Sequence, residues 1–146
     1  MIQIGEDILK EIENHAERDL PHECGGMLIG KFSADGIKSV FEIFPMENAR
    51  ETGDRHNRIL ILPKDVMGAE RHAREKGLDV VGYYHSHPNA PAVPSQYDLD
   101  HALPVWSYVI VSVVDGKAVD TRSWEMEHDR SKFIEEKIER TKNAAE

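Results

Sequence analysis

Two histidines separated by one residue are the first candidates for chemistry in this sequence. His85 and His87 end an apolar, β-type run that begins at Val80. Successive side chains of a strand point to opposite faces, so we expect both imidazoles on one face and Ser86 on the other. Two imidazoles side by side on a rigid element are half of a zinc site. Taken alone, His-x-His at a strand end is more often a pair of polar surface residues.

A carboxylate follows the histidines after a connection stiffened by three prolines, which are Pro88, Pro91 and Pro94. Ser95 and Asp98 then form Ser-x-x-Asp, a pattern typical of a helix start with a capping box. From the first helical turn, Asp98 is expected to project back toward the histidines. Three protein ligands and an open fourth position describe a catalytic zinc site rather than a structural one.

The combined spacing, His-x-His-x7-Ser-x-x-Asp, resembles the metalloprotease motif of JAMM (JAB/MPN) domains. The matching stretches are His85-Ser86-His87-Pro88 and Pro94-Ser95-Gln96-Tyr97-Asp98. Upstream, Pro21-His22-Glu23-Cys24-Gly25-Gly26, followed by Gly30, resembles the glutamate-bearing strand entry of the same family. The similarity covers most of the chain, in the small prokaryotic form of the domain, and no motif position departs from the pattern.

The resemblance implies a role for each of these residues. It implies that His85, His87 and Asp98 bind one Zn²⁺ per chain, with a water molecule in the fourth place. It also implies that Glu23 is the general acid/base, a choice that the residues alone do not make among 27 acidic side chains. Ser95 is a helix N-cap by its pattern, and the resemblance adds the role of hydrogen-bond donor to an oxyanion.

Two neighbouring residues leave alternatives open. His101 lies three residues after Asp98 and is interpreted as a surface residue or a group beside the ligands, with a rival ligand as the alternative. Cys24 is interpreted as a small buried residue, because the sequence specifies no base that would activate it as a nucleophile.

Composition limits the classes of partner and compartment. The 146 residues are enough for one domain with a core, and the net charge of −9 argues against nucleic acid and anionic membranes as partners. A single cysteine excludes an internal disulfide and fits a reducing compartment. No long apolar stretch or leader-like start is evident. These features predict a cytoplasmic protein, and they leave a homodimer open.

Periodicity predicts the elements that position the candidate residues. We predict a helix over 5–19, strands over 25–32 and 37–44 joined at Asp35-Gly36, a polar surface loop over 46–58, and a short strand over 59–62. A second helix is predicted from Pro63 to Gly77, with Val66, Met67, Ala69 and Ala73 on its buried face. Further predictions are strands over 80–87, 105–114 and 117–124 and a ligand-bearing helix from Ser95 to about Leu103.

The last segment is predicted to be a helix over 127–142, packed on the domain or on a partner. The predicted organisation is therefore a domain over 1–126 and a C-terminal helical segment over 127–146. The pattern indicates an α/β or α+β fold with a mixed sheet. The resemblance implies a cytidine-deaminase-like αβα sandwich of the JAB/MPN type, with one long helix on either side of the sheet.

The resemblance also implies a function. It implies a zinc-dependent peptidase or isopeptidase that cleaves at the C-terminal Gly-Gly tail of a ubiquitin-like or sulfur-carrier protein through zinc-activated water. The alternative is a non-catalytic MPN scaffold in a protein complex. Other zinc enzymes fail on spacing, since a zinc deaminase requires Pro-Cys-x-x-Cys and this chain has one cysteine. We expect the 46–58 and 88–94 loops to form a slot, in which the tail pairs with a strand edge.

Overall fold

The structure, a computed structural model, describes residues 1–46 and 63–142. These residues form eight strands and three helices. In chain order the elements are β1 (Ile2–Gly5), α1 (Glu6–Arg18), β2 (Gly25–Phe32), β3 (Lys38–Met46), α2 (Pro63–Glu75), β4 (Asp79–Pro88), α3 (Gln96–His101), β5 (Ser107–Val114), β6 (Lys117–Met126), β7 (Phe133–Glu136) and β8 (Ile138–Thr141).

All of the strands belong to one mixed sheet, in the order β7-β6-β5-β4-β2-β3-β1-β8. Strand β4 is parallel to β5 and antiparallel to β2, so the strand that carries both candidate histidines is paired on each side. Strand β5 is buried at every residue except its last, as a central apolar strand should be. The mixed sheet was predicted from the sequence and is confirmed.

The two long helices cover opposite faces of the sheet. Ile8 and Leu9 of α1 pack in one core cluster with Leu28 of β2. Ala69 of α2 packs in a second cluster with Met27, the residue before Leu28. Neighbouring residues of a strand point to opposite faces, so the sheet lies between α1 and α2. This arrangement confirms the predicted αβα sandwich. None of the helices in the described part of the chain is long and apolar enough to cross a membrane.

The helix predicted over 127–142 is wrong. Residues 133–136 form β7, antiparallel to β6, and residues 138–141 form β8, parallel to β1. A turn precedes β7, in which the Glu127 N–H donates to the Lys132 carbonyl over 2.9 Å. Glu136 is buried in this segment and accepts a hydrogen bond from Ser123 of β6. The pairing with distant strands overrides the local helical pattern, and the segment joins the same sheet as the rest of the domain.

Smaller differences concern single elements. Strand β1 was not predicted, because four residues before a helix carry too little pattern. On α2, Ala69 and Ala73 are buried as predicted, but Met67 is 61% exposed, so its assignment to the buried face is wrong. The predicted strand over 59–62 and nearly all of the predicted 46–58 loop lie outside the described residues.

The fit between β4 and β5 leads to a first prediction, on stability. A Cβ added at Gly82 would stand 2.3 Å from the backbone oxygen of Ser107, so the two strands must separate to admit it. We expect Gly82→Ala to lower the free energy of unfolding by about 1–3 kcal/mol, the usual effect of overpacking, in urea denaturation. Gly68→Ala is the control, because Gly68 lies on α2 with no neighbour near the added Cβ.

The control substitution should raise the free energy of unfolding by up to about 1 kcal/mol through helix propensity. Equal stability of the Gly82→Ala variant and the unmodified protein would contradict the close approach of β4 and β5.

Candidate metal centre

The end of β4 presents both predicted histidines on one face. The Nε2 atoms of His85 and His87 lie 3.1 Å apart. Tyr83 lies two residues earlier on the same face and stacks on His85, with ring centroids 5.4 Å apart. Ser86 points the other way and holds β4 to the start of β2, because its Oγ accepts the Cys24 N–H over 2.8 Å and its N–H donates to the Cys24 carbonyl over 3.1 Å.

The first turn of α3 brings the carboxylate to the histidines. Ser95 is the N-cap, and it forms a capping box in which its Oγ accepts the Asp98 N–H over 3.1 Å and its N–H donates to Asp98 Oδ2 over 2.8 Å. Asp98 Oδ1 lies 3.2 Å from His85 Nε2, and Oδ2 lies 3.4 Å from His87 Nε2. The cap therefore fixes the direction of the carboxylate toward both rings.

A backbone carbonyl sets the tautomer of His87. Its Nδ1 lies 2.9 Å from the Pro91 oxygen. A carbonyl only accepts, so Nδ1 carries the hydrogen, and Nε2 of the neutral ring has its lone pair directed at the centre. Nδ1 of His85 is buried and has no hydrogen-bond partner within residues 1–46 and 63–142.

The pKa values of Asp98 and His87 are shifted in opposite directions by their neighbours in the centre. Burial acts to raise the pKa of the Asp98 carboxyl. Hydrogen bonds from His85 and His87, which form when their Nε2 atoms carry a proton, and from the Ser95 N–H outweigh burial and hold that pKa well below its usual range. Burial acts to lower the pKa of His87, but Asp98, the Pro91 carbonyl and the charge of Glu23 together raise it. The lowered pKa of Asp98 keeps its carboxylate ionised. The raised pKa of His87 shows that the carboxylates and the carbonyl around it favour a positive charge between the rings and the carboxylate.

A metal cation fits this environment. One ligand atom from each of His85, His87 and Asp98 falls within 4.8 Å of the others. Two imidazole nitrogens that face each other require a proton or a cation between them, and the ligand types are those that zinc prefers. His85 is only 2% exposed, whereas the side chains of His87 and Asp98 retain 11% and 15% exposure, so one side of the centre remains open to a further ligand.

Glu23 lies two residues before β2, which pairs with the histidine-bearing strand β4. Cys24 lies opposite Ser86 and packs in the core cluster on the α1 side of the sheet. Glu23, one residue earlier, is expected on the face that carries the two histidines. It is 8% exposed, and its charge contributes to the electrostatics of His87 described above.

Three other titratable residues, Cys24, His15 and His101, lie outside the group of candidate ligands. Burial raises the pKa of the Cys24 thiol to about 12, in agreement with its interpretation as an inert buried residue. His15 received no predicted role, yet its Nδ1 lies 2.7 Å from the Tyr84 hydroxyl and its Nε2 lies 3.2 Å from Asp19, so it links α1 to β4. His101 ends α3, and its side chain lies outside the described part of the structure.

Sequence reasoning missed three contributors to the centre, which are the ring of Tyr83, the hydroxyl of Ser86 and the carbonyl of Pro91. The strand period could have found Tyr83, because positions 83, 85 and 87 share a face. The tie from Ser86 to Cys24 depends on strand pairing. The role of the Pro91 carbonyl depends on how the loop folds back onto His87.

Comparison with known proteins places the chain among relatives with a shared domain. Residues 5–127 match the family described as prokaryotic homologs of the JAB domain. A desampylase of Haloferax volcanii is 30% identical over 108 residues, which cover 73% of this chain and 74% of that protein. A probable TtuB-protein conjugate cleaving protease of Thermus thermophilus is 28% identical over 110 residues, which cover 75% of this chain and 69% of that protein.

A solved structure matches the fold over nearly all of the chain. The solution structure of a Desulfitobacterium hafniense protein matches with a TM-score of 0.84 at 28% identity. The match covers 99% of this chain and 95% of that chain.

The geometry of the centre leads to a second prediction, on metal content. We expect the unmodified protein, after dialysis against zinc and removal of excess, to retain one zinc per chain by elemental analysis. His85→Ala, His87→Ala or Asp98→Ala should each abolish stoichiometric retention, because each removes one of three converging ligands. His72→Ala is the control, since His72 pairs with Glu42 outside the centre. Full zinc in the Asp98→Ala protein would exclude this ligand set.

Proposed function

This chain belongs to the prokaryotic JAB-domain family, and on that premise we propose that it is a zinc-dependent peptidase or isopeptidase. Its proposed substrate is the C-terminal Gly-Gly tail of a ubiquitin-like or sulfur-carrier protein. The observation that carries the proposal is the convergence of His85, His87 and Asp98 on one point that is open on one side. The buried Glu23, whose charge acts on the pKa of His87, supports it.

The relatives support the class of substrate. One is named for cleaving protein conjugates, and the other is named a desampylase. Both match this chain over about three quarters of its length, and the family match spans all the candidate site residues. Cleavage of a protein conjugate at its isopeptide bond is therefore the reaction that the proposal assigns.

Each residue of the centre has a part in hydrolysis of an amide bond. His85, His87 and Asp98 would hold the Zn²⁺. When bound, zinc polarises a carbonyl oxygen and lowers the pKa of a water ligand to about 7. The Pro91 carbonyl keeps the Nε2 lone pair of His87 available for the ion.

Glu23 would perform both proton transfers. A carboxylate beside the nucleophilic water can accept its proton and then deliver that proton to the leaving amine. The expected position of Glu23 on the histidine-bearing side of the β2–β4 pair would suit a group that must reach both the attacking oxygen and the departing nitrogen, and the effect of its charge on the pKa of His87 supports that position.

Ser95 would stabilise charge on the substrate. Its Oγ accepts the Asp98 N–H, which leaves the hydroxyl hydrogen free to be donated elsewhere. Ser95 is exposed and caps the helix that carries Asp98, so we expect this hydrogen to reach a carbonyl oxygen that gains negative charge during attack. The N-cap and oxyanion roles are thus compatible in one side chain.

The described strands do not support tail binding by strand addition at the centre. Strand β4 pairs with β2 on one side and β5 on the other, and these ladders reach His85 and Pro88 respectively. Within residues 1–46 and 63–142, the outermost strands at the level of the centre are β3 beyond Ser39 and β6 before Ser123, each two strands from β4. We therefore base specificity for Gly-Gly on close approach of the tail backbone to the metal, which a Cβ would obstruct.

A third prediction separates the proposed chemistry from metal binding. Glu23→Gln removes the proton acceptor and keeps the three metal ligands, so zinc content should be unchanged while kcat falls by about 100-fold or more. The measurement is steady-state hydrolysis of a Gly-Gly-linked fluorogenic conjugate. Glu70→Gln on the exposed face of α2 is the control and should retain full activity. Near-normal kcat in Glu23→Gln would place the base on another residue.

A fourth prediction concerns the substrate tail. Changing its final Gly to Ala or Val should lower kcat/KM steeply, because a side chain there separates the scissile carbonyl from the metal. Changing the residue beyond the scissile bond should have a smaller effect. Kinetics on this series provides the test, and a tail ending in Val-Val that is cleaved as well as Gly-Gly would contradict the close-approach account.

A further inference from the structure

The connection between β4 and α3 is held by side chains from two other strands. Ser112 of β5 donates its hydroxyl hydrogen to the Ala90 carbonyl over 2.6 Å. Trp124 of β6 donates its Nε1–H to the Ala92 carbonyl over 3.0 Å. Neither donor lies near this segment in sequence, and neither belongs to the set of candidate ligands.

These two hydrogen bonds flank the carbonyl that orients His87. Pro91 stands between the two tethered residues, and its ring fixes its own φ. With the carbonyls on both sides held, the Pro91 carbonyl has little freedom to turn. It accepts the Nδ1–H of His87 over 2.9 Å.

The side chains of Ser112 and Trp124 also lie on the same face of the sheet as His85 and His87. Ser112 is the direct neighbour of His87 in the parallel β4–β5 ladder and is buried. Trp124 packs in the cluster that contains Tyr108 and Leu99 of α3. Both donors therefore share the face that carries the metal centre, and they form a bridge from β5 and β6 to the segment that leads to Ser95.

We propose that Ser112 and Trp124 are positioning residues that set the tautomer of His87 by fixing the Pro91 carbonyl between them. The chain of contacts runs from the two side chains to the carbonyls of Ala90 and Ala92, and then through Pro91 to the ring. The expected effect of these residues on metal affinity rests on the function proposed above. Their expected effect on the His87 tautomer does not depend on that function.

The other tautomer of His87, with its hydrogen on Nε2, would not bind a metal at the centre. If the Pro91 carbonyl turned away, Nδ1–H would lose its acceptor, and the hydrogen could move to Nε2. An Nε2–H would be directed at Asp98, which lies 3.4 Å away, and the lone pair needed for a metal would be lost. Partners that orient a ligating histidine typically change metal affinity by about 10- to 100-fold when they are removed.

The test uses a double variant and a matched control. Ser112→Ala/Trp124→Phe removes both donors and keeps a serine-sized and an aromatic side chain in place. Ser107→Ala/Trp106→Phe makes the same chemical changes near the start of β5 and leaves the two hydrogen bonds to the segment in place. The Ser107 hydroxyl is buried with no hydrogen-bond partner in the described part of the chain, so its removal breaks no bond that the structure shows.

Two measurements are made on each protein. Long-range ¹H–¹⁵N correlation spectra of the metal-free protein, with the ring of His87 in its neutral form, report its tautomer. Competition with a chelating indicator reports zinc affinity. We expect a single Nδ1–H tautomer in the unmodified and control proteins, a mixture of tautomers in the double variant, and zinc affinity lowered about tenfold or more in that variant alone.

A double variant that keeps the unmodified tautomer overturns the proposal, whatever its zinc affinity. If the double variant does not fold, Trp124→Phe alone carries the same spectral test, because it retains an aromatic ring in its cluster. Failure of the unmodified protein to bind zinc, with the tautomer change still present in the variant, would overturn the proposed function and leave this positioning role intact.

Discussion

Three hydrogen-bond acceptors that converge on one small volume are the constraint on which the rest of this structure depends. The Nε2 atoms of His85 and His87 are 3.1 Å apart, and the carboxylate oxygens of Asp98 lie 3.2 and 3.4 Å from them. Facing lone pairs repel unless a proton or a cation lies between them, and a buried acceptor without a partner costs roughly 1–3 kcal/mol. Groups in this arrangement remain together only when rigid elements hold them.

The sheet supplies that rigidity on one side of the centre. Strand β4 is paired on both sides, so the two histidines cannot separate without disrupting two ladders. Ser86 is hydrogen-bonded to the backbone of Cys24, which fixes the end of β4 against the residue that follows Glu23. The close packing extends to Gly26, where an added Cβ would stand 2.5 Å from the Tyr84 ring. The proposed catalytic carboxylate and two of the proposed ligands thus depend on one pair of strands.

The sequence predicts the local parts of this arrangement and misses the distant ones. His85, His87 and Asp98 could be predicted because strand periodicity and a capping pattern act over a few residues. Glu23 required the family resemblance, since its position depends on pairing with a strand about 60 residues away. The C-terminal strands were missed for the same reason, because β8 pairs with β1 at the other end of the chain and a local sequence window does not contain that partner. Ser112 and Trp124 also carry no local signal.

The central claim is that this centre hydrolyses the bond that follows a Gly-Gly tail, rather than serving as a scaffold. The most direct measurement is to strip the protein of metal, return zinc in increments, and follow cleavage of a Gly-Gly isopeptide conjugate by mass spectrometry. The account predicts no cleavage in the stripped protein and activity that rises linearly until one zinc per chain is bound. A protein that binds one zinc per chain and leaves the conjugate intact would contradict it.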